Sequence, residues 1–260
     1  MINEAIILAG GLGTRLRSVV ADLPKCMAPV NDIPFISFVI AYLKNEGVER
    51  FIFSLGYRSE MVKEYLDTHF TELEKVYVIE KEQLGTGGAV KKACESVKGQ
   101  DVVIVNGDTI FNISIPDLYI LHHAQDAACT IALKELENFD RYGTAGFNKE
   151  GIITAFNEKK FCTRGFINGG IYILNVKRFR QKHLPEKFSF EKDYLEKYVK
   201  DAAFMSAVFY NYFIDIGIPE DYELFQQLIS NSPDIKKSGS SDDGFGIIIE
   251  TIGAFFELLH

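Results

Sequence analysis

The 260-residue chain has few cysteines, no excess of basic residues and no long apolar run. Each shortage removes a class of function. Its four cysteines, Cys26, Cys94, Cys129 and Cys162, are widely scattered, and no two have C-x-x-C spacing. A zinc or redox site of that kind is therefore excluded, and reduced thiols in a cytoplasmic protein are expected. Lysine and arginine number 28 against 36 acids, for a net charge of −8. That balance argues against a broad basic face for nucleic acid. A nucleotide site needs only local cations and backbone N–H groups, so it stays open. No apolar stretch reaches the roughly 18 residues of a membrane helix. The opening MINEAIILAGG lacks the charged-then-apolar pattern of a signal peptide. Neither nucleic acid nor membrane is an expected partner, and the expected location is the cytoplasm.

Several catalytic motifs are missing too. There is no G-x-x-x-x-G-K-[ST], no H-E-x-x-H and no G-x-S-x-G. The five histidines (69, 122, 123, 183, 260) show no metal-ligand spacing, and the His122-His123 pair reads as a surface feature after a helix.

Apolar residues make up 47% and charged residues 25%, ordinary values for a globular chain that can bury a sizeable core. The first half alternates short apolar runs with helical periodicity. Strands are expected at 5–8, 51–55, 76–79 and 102–105. Helices are expected from Pro34 to Gly47, from a capping Ser59 through Leu66, and over 87–97. This alternation predicts an α/β fold, a mixed and mostly parallel sheet flanked by helices, with ligands at the carboxyl ends of its strands. After about residue 128 the runs 129–133, 144–147, 152–156, 171–174, 204–209 and 213–216 predict a smaller, more antiparallel part. Pro219 opens a last helix that ends near Ser230.

Residues 1–230 thus form the expected domain. Residues 231–244 have linker composition, and 245–260 (FGIIIETIGAFFELLH) form an apolar, helix-compatible tail. The tail fits two descriptions equally, a helix docking on the body or on a second subunit, or an appended extension. An exposed apolar face there would suit a homo-oligomer.

The chemistry concentrates in residues 8–29, LAGGLGTRLRSVVADLPKCMAP. A buried strand runs into Gly10-Gly11-x-Gly13-Thr14-Arg15-Leu16 and then Pro24-Lys25. Glycines let the backbone approach a ligand so that N–H groups face phosphate oxygens. Arg15 adds a bidentate guanidinium and Lys25 a mobile charge. The dinucleotide motif G-x-G-x-x-G fits poorly, because Arg15-Leu16 replaces its third glycine. An arginine and a later Pro-Lys in one loop suit a triphosphate better than a dinucleotide.

Here the sequence resembles the sugar-1-phosphate nucleotidyltransferase family, whose signature is G-G-x-G-[ST]-R-L followed by P-K. The resemblance extends to about residue 228, and further motifs follow in family order. Gln83-Leu84-Gly85-Thr86-Gly87-Gly88-Ala89 resembles the L-G-T-A-x-A base-binding turn, with Gly87 where the family has alanine. Asn106-Gly107-Asp108 resembles the G-D metal turn, Asn157-Glu158-Lys159 the E-K motif, Asn168-Gly169-Gly170-Ile171-Tyr172 the N-x-G-x-Y segment, and Asp215-Ile216-Gly217 the D-x-G motif.

The resemblance implies transfer of a nucleoside monophosphate from an NTP to a sugar 1-phosphate, with release of pyrophosphate. Arg15 and Lys25 would be catalytic. Leu8, Gly10, Gly11, Gly13, Thr14, Gln83, Gly85, Thr86 and Gly88 would bind the nucleotide. Asp108, Gly143, Glu158, Lys159, Asn168 and Gly169 would bind the sugar phosphate, the last two from a glycine-rich turn. Which of Lys159 and Lys160 points inward stays open. Asp108 and Asp215 would hold Mg2+, which favours one or two carboxylates completed by water and phosphate oxygens. The chain is most similar to the branch that joins GTP to D-glycero-D-manno-heptose 1-phosphate for surface polysaccharides, although the residues alone leave base and sugar open.

Two rivals fare worse. A dehydrogenase needs an acid at the end of the second strand, which here ends Ser54-Leu55-Gly56. A non-catalytic subunit of the same fold would be expected to lose the lysine or a metal carboxylate, and this chain keeps Arg15, Lys25, Asp108, Lys159 and Asp215.

Overall fold

The computed structural model describes residues 2–11, 16, 20, 22–200 and 203–231. Gly13, Thr14, Arg15 and the tail at 245–260 lie outside the described residues, as does the linker apart from Asn231. The first half comprises β1 (Glu4–Ala9), β2 (Pro29–Val30), β3 (Ile33–Pro34), α1 (Phe35–Asn45), β4 (Arg50–Leu55), α2 (Ser59–His69), β5 (Glu74–Ile79), α3 (Gly85–Cys94) and β6 (Asp101–Asn106). The second comprises β7 (Thr109–Phe111), α4 (Ile115–Ala124), β8 (Cys129–Phe139), β9 (Thr144–Phe147), β10 (Ile153–Asn157), β11 (Cys162–Asn175), α5 (Val176–Arg180), β12 (Phe204–Phe209), β13 (Phe213–Asp215) and α6 (Pro219–Ser230).

Among the described residues nine strands make one mixed sheet, with a main path β10-β9-β11-β6-β1-β4-β5 and β8 and β12 joined through β11. β1 pairs in parallel with both β4 and β6, and β4 with β5. β11 runs antiparallel to β6, β8 and β9. The expected α/β fold with a more antiparallel second part is the one observed.

The core divides by strand parity. Ala5, Ile7, Phe51, Phe53, Val103 and Val105 join one apolar cluster with α1 and α6. Their neighbours Ile6, Ile52, Val102 and Ile104 join the other, with α3 and Phe190. Alternate side chains of a strand face opposite sides, so a sheet covered on both faces needs such unbroken apolar runs. The Phe225 ring on α6 forms T-shaped pairs with Phe35 and Phe38 on α1, at centroid distances of 5.4 and 5.2 Å. No helix among the described residues is long and apolar enough to cross a membrane.

Four expectations change. Ser59 is the first residue of α2 and does not cap it; Arg58 holds the cap position in a left-handed conformation (φ 50°) without a side-chain cap. The carbonyls of Gly56 and Arg58 instead accept the N–H groups of Ser59 and Met61. α3 starts at Gly85, two residues early, and ends at Cys94. Residues 168–170 do not form a turn. They lie inside the 14-residue β11, where the register against β8 shifts between Asn168 and Tyr172.

The histidine pair belongs to the last turn of α4, and His122 is buried. Its Nδ1 lies 2.8 Å from Thr130 Oγ1 and its Nε2 3.5 Å from Asp101 Oδ1. The apolar face of α4 packs against β8 and draws this ring inward with it. Burial alone would raise the Asp101 carboxyl, but the bonds and charge of His122, with Asn175 and His123, hold it below its ordinary value.

Candidate active site

β1, β4, β5 and β6 all end on one side of the sheet. The chain leaves β1 for β4 on one flank and later returns to β6 on the other. This reversal opens a crevice at the carboxyl ends of β1 and β6, where ligands gather in such sheets. Gly10 and Gly11 follow β1, and Asn106-Gly107-Asp108 link β6 to β7. The Gly107 N–H donates to the Leu8 carbonyl at 2.9 Å, tying the two loops together.

Two cavities meet here. The larger, about 670 Å3, lies toward β9, β10 and β11. The smaller, about 560 Å3, lies over the β1 loop and the start of α3. Lys25, Asn106, Asp108 and Glu191 line both. Of the expected nucleotide residues, Leu8, Gly10, Gly11, Gln83, Gly85 and Thr86 line the smaller cavity. Gly88 lines neither. A Cβ on it would collide with the Glu186 carbonyl oxygen, so this glycine lets segment 184–191 cross α3 closely. Of the expected sugar-phosphate residues, Asp108, Gly143, Glu158, Lys159, Asn168 and Gly169 all line the larger cavity, with Asp215. Lys159 is among its lining residues and Lys160 is not.

Strand pairing explains how two distant acids meet. β13 pairs with β7 so that Asp215 lies opposite Thr109, beside Asp108, and the Ile216 N–H donates to the Asp108 carbonyl at 3.1 Å. Lys25 enters from the short 3-10 turn Lys25–Met27 after Pro24. Its ammonium stands 2.5 Å from Asp108 Oδ2 and 3.9 Å from Asp215 Oδ1. Asp215 Oδ1 also accepts the Gly217 N–H at 2.7 Å, and the Tyr142 hydroxyl lies 3.4 Å from Oδ2. Among the described residues no three histidines, cysteines, aspartates or glutamates gather as a metal cage. Two carboxylates open to a cavity could instead hold a hard divalent cation whose remaining ligands are phosphate oxygens and water.

Burial and the nearby carboxylates act on two neighbouring side chains. Burial, then the Asp108 charge, pushes the Cys26 thiol up to about 12, so this buried neighbour of Lys25 stays protonated and unreactive. Burial, then the Asp215 charge, pushes the Tyr142 phenol above its ordinary value, and it remains a hydrogen-bond donor.

One wall of both cavities carries no motif in the sequence. Segment 184–196 crosses α3 and ends in a π-helix, Phe190–Glu196. The Gly87 N–H donates to the Phe188 carbonyl at 3.0 Å, and Thr86 Oγ1 donates to Glu191 Oε2 at 2.9 Å. Lys187 thereby reaches the smaller cavity, Lys192 and Glu196 the larger, and Glu191 both. Glu186-Lys187 and the Ser189-Phe190-Glu191-Lys192 run are the only signals there, and solvated charges look the same in sequence.

Comparison with known proteins identifies the family. The family model described as nucleotidyl transferase matches residues 4–232. A D-glycero-alpha-D-manno-heptose 1-phosphate guanylyltransferase from Campylobacter jejuni is 46% identical over 228 residues, 88% of this chain and 100% of that protein. One of the same description from Aneurinibacillus thermoaerophilus is 45% identical, covering 86% of this chain and 97% of the relative. Among solved structures, HddC from Yersinia pseudotuberculosis superposes with a TM-score of 0.79 at 35% identity, over 88% of this chain and 100% of the other. HddC has also been solved in complex with GMP-PN.

Proposed function

The chain belongs to the nucleotidyl transferase family, and on that premise we propose that it joins the GMP part of GTP to D-glycero-alpha-D-manno-heptose 1-phosphate, releasing pyrophosphate. The observation that carries this reading is the pair of cavities sharing Lys25 and Asp108. A two-substrate transfer needs separate seats that touch at the reacting atoms. The two heptose 1-phosphate guanylyltransferases support the choice of substrates by their identity over most of the chain.

In this account GTP lies in the smaller cavity, its phosphates over Gly10 and Gly11 and its base toward Gln83, Gly85 and Thr86. The sugar 1-phosphate lies in the larger, its phosphate beside Lys159 and its hydroxyls toward Glu158, Asn168 and the backbone at Gly143 and Gly169. An oxygen of the sugar phosphate attacks the α-phosphorus in line. One P–O bond forms, the bond from the α-phosphorus to the bridging oxygen breaks, and pyrophosphate leaves with that electron pair. Such transfers need positioning and positive charge more than covalent help. Lys25 supplies charge at the junction, and Arg15 is assigned the same task from the glycine loop. Asp108 and Asp215 fit Mg2+, since both offer hard oxygens next to where phosphates would gather. When bound there, Mg2+ offsets the negative charge of the two reacting anions.

The test is a substrate matrix of five NTPs against heptose, mannose, glucose and N-acetylhexosamine 1-phosphates, read as pyrophosphate release. The highest kcat/KM is expected for GTP with the heptose. A clear preference for dTTP with glucose 1-phosphate would overturn the assignment.

A further inference from the structure

Both oxygens of the Asp215 carboxylate are engaged. Oδ1 accepts the Gly217 N–H at 2.7 Å and faces Lys25 Nζ at 3.9 Å. Oδ2 lies 3.4 Å from the Tyr142 hydroxyl. The loop between β8 and β9 that carries Tyr142 is itself anchored on three sides. Arg141 packs its guanidinium 5.6 Å from the Tyr142 ring centroid and pairs with Asp221 on α6 at 3.1 Å. Phe213 meets the tyrosine ring edge-on at 6.2 Å. Gly143 presses against β10, where a Cβ would stand 2.5 Å from the Asn157 carbonyl oxygen. Tyr142 is also a wall between the larger cavity and a separate hollow of about 370 Å3 beneath α6.

The geometry points to Tyr142 as a positioning residue that fixes the rotation of the Asp215 carboxylate, with the Arg141–Asp221 pair as its anchor. A carboxylate free to turn about its last bond offers a cation a shifting oxygen. One held at Oδ2 by a hydroxyl and at Oδ1 by a backbone N–H keeps the same face toward the junction of the cavities. Groups that orient metal ligands in this way are commonly worth about 10- to 100-fold in metal affinity or activity. This inference rests on the reading of Asp108 and Asp215 as Mg2+ ligands.

Tyr142→Phe keeps the ring and removes the hydroxyl. Mn2+ binding, followed by electron paramagnetic resonance with GTP present and no acceptor, reads the ligand set without turnover. We expect Mn2+ to bind Tyr142→Phe about 10-fold more weakly than the wild type. The Mg2+ concentration for half-maximal rate should rise in parallel, with kcat recovering at saturating Mg2+. Arg141→Gln, which loosens the anchor but leaves the hydroxyl, should shift Mn2+ affinity in the same direction by less. Unchanged Mn2+ affinity in Tyr142→Phe overturns the proposal alone. So does a rise in KM for the sugar 1-phosphate with metal affinity intact, because the hydroxyl would then be acting on substrate. A wild-type protein that binds no Mn2+ with GTP overturns the underlying metal reading as well.

Discussion

At the scale of single residues, chemical type makes the proposed catalytic lysine and metal-binding acids legible and leaves their neighbours hidden. Lys25, Asp108 and Asp215 can be picked out because a lysine after a glycine loop, an acid closing an apolar strand and an acid in YFIDIG each invite a reason. Tyr142 and Glu191 carry no such mark, since a tyrosine or glutamate fits any half-exposed surface. His122 differs from its expected surface place for a related reason. Its neighbour His123 is half exposed, and the sequence of the pair does not say which ring the helix turns inward. The buried Asp101 beside them makes a pH prediction. Its carboxyl sits below the ordinary value of 3.8 in the folded protein. The unfolded chain therefore binds more protons in that window, and the group's stabilisation, full above it, is lost as pH falls through it. Denaturant unfolding of wild type and Asp101→Asn should show a stability gap at pH 6 that narrows below pH 4. A gap that widens on acidification would contradict the assignment.

At the scale of elements, the strands and the longer helices of the first half follow from apolar runs and their punctuation. The strap at 184–196 does not. The spacing of its buried Phe190, Tyr194 and Leu195 is compatible with either α or π winding. On an α-helix Glu191 and Glu196 would point about 140° apart, at 3.6 residues per turn. The wider π turn lets both line the larger cavity. β11 is only partly legible, because Gly169 and Gly170 interrupt a strand that continues past them through a register shift. The strap also explains Gly88. Gly88→Ala would drive a methyl into the Glu186 carbonyl and Leu84. We expect a loss of about 1–3 kcal/mol in unfolding free energy. GTP should also bind more weakly, because the displaced strap carries Lys187 and Glu191. Calorimetric titration with GTP checks this, and an unchanged Kd would show that the strap has no part in the nucleotide seat.

At the scale of the whole molecule, a chain of net charge −8 gathers Lys25, Lys159, Lys187 and Lys192 around one pair of cavities. The doubly covered sheet supplies the crevice, and the β7–β13 pair brings together two acids distant in sequence. Strand–helix alternation makes the sheet legible from sequence. The meeting of the cavities is not, because it depends on which strand ends lie side by side, and periodicity does not record that. At this meeting point we place the metal-assisted transfer of the GMP group of GTP. Its most direct measurement follows GTP labelled at the α-phosphate, with the heptose 1-phosphate and Mg2+, in the wild type and in Asp108→Asn and Asp215→Asn. The wild type is expected to move the label into a sugar nucleotide with one pyrophosphate per transfer. Each variant should fall by about 100-fold or more, a loss of at least about 2.7 kcal/mol of transition-state stabilisation. Label released as free GMP by the wild type, or either variant keeping full Mg2+-dependent pyrophosphate release, would contradict a metal-assisted transfer here.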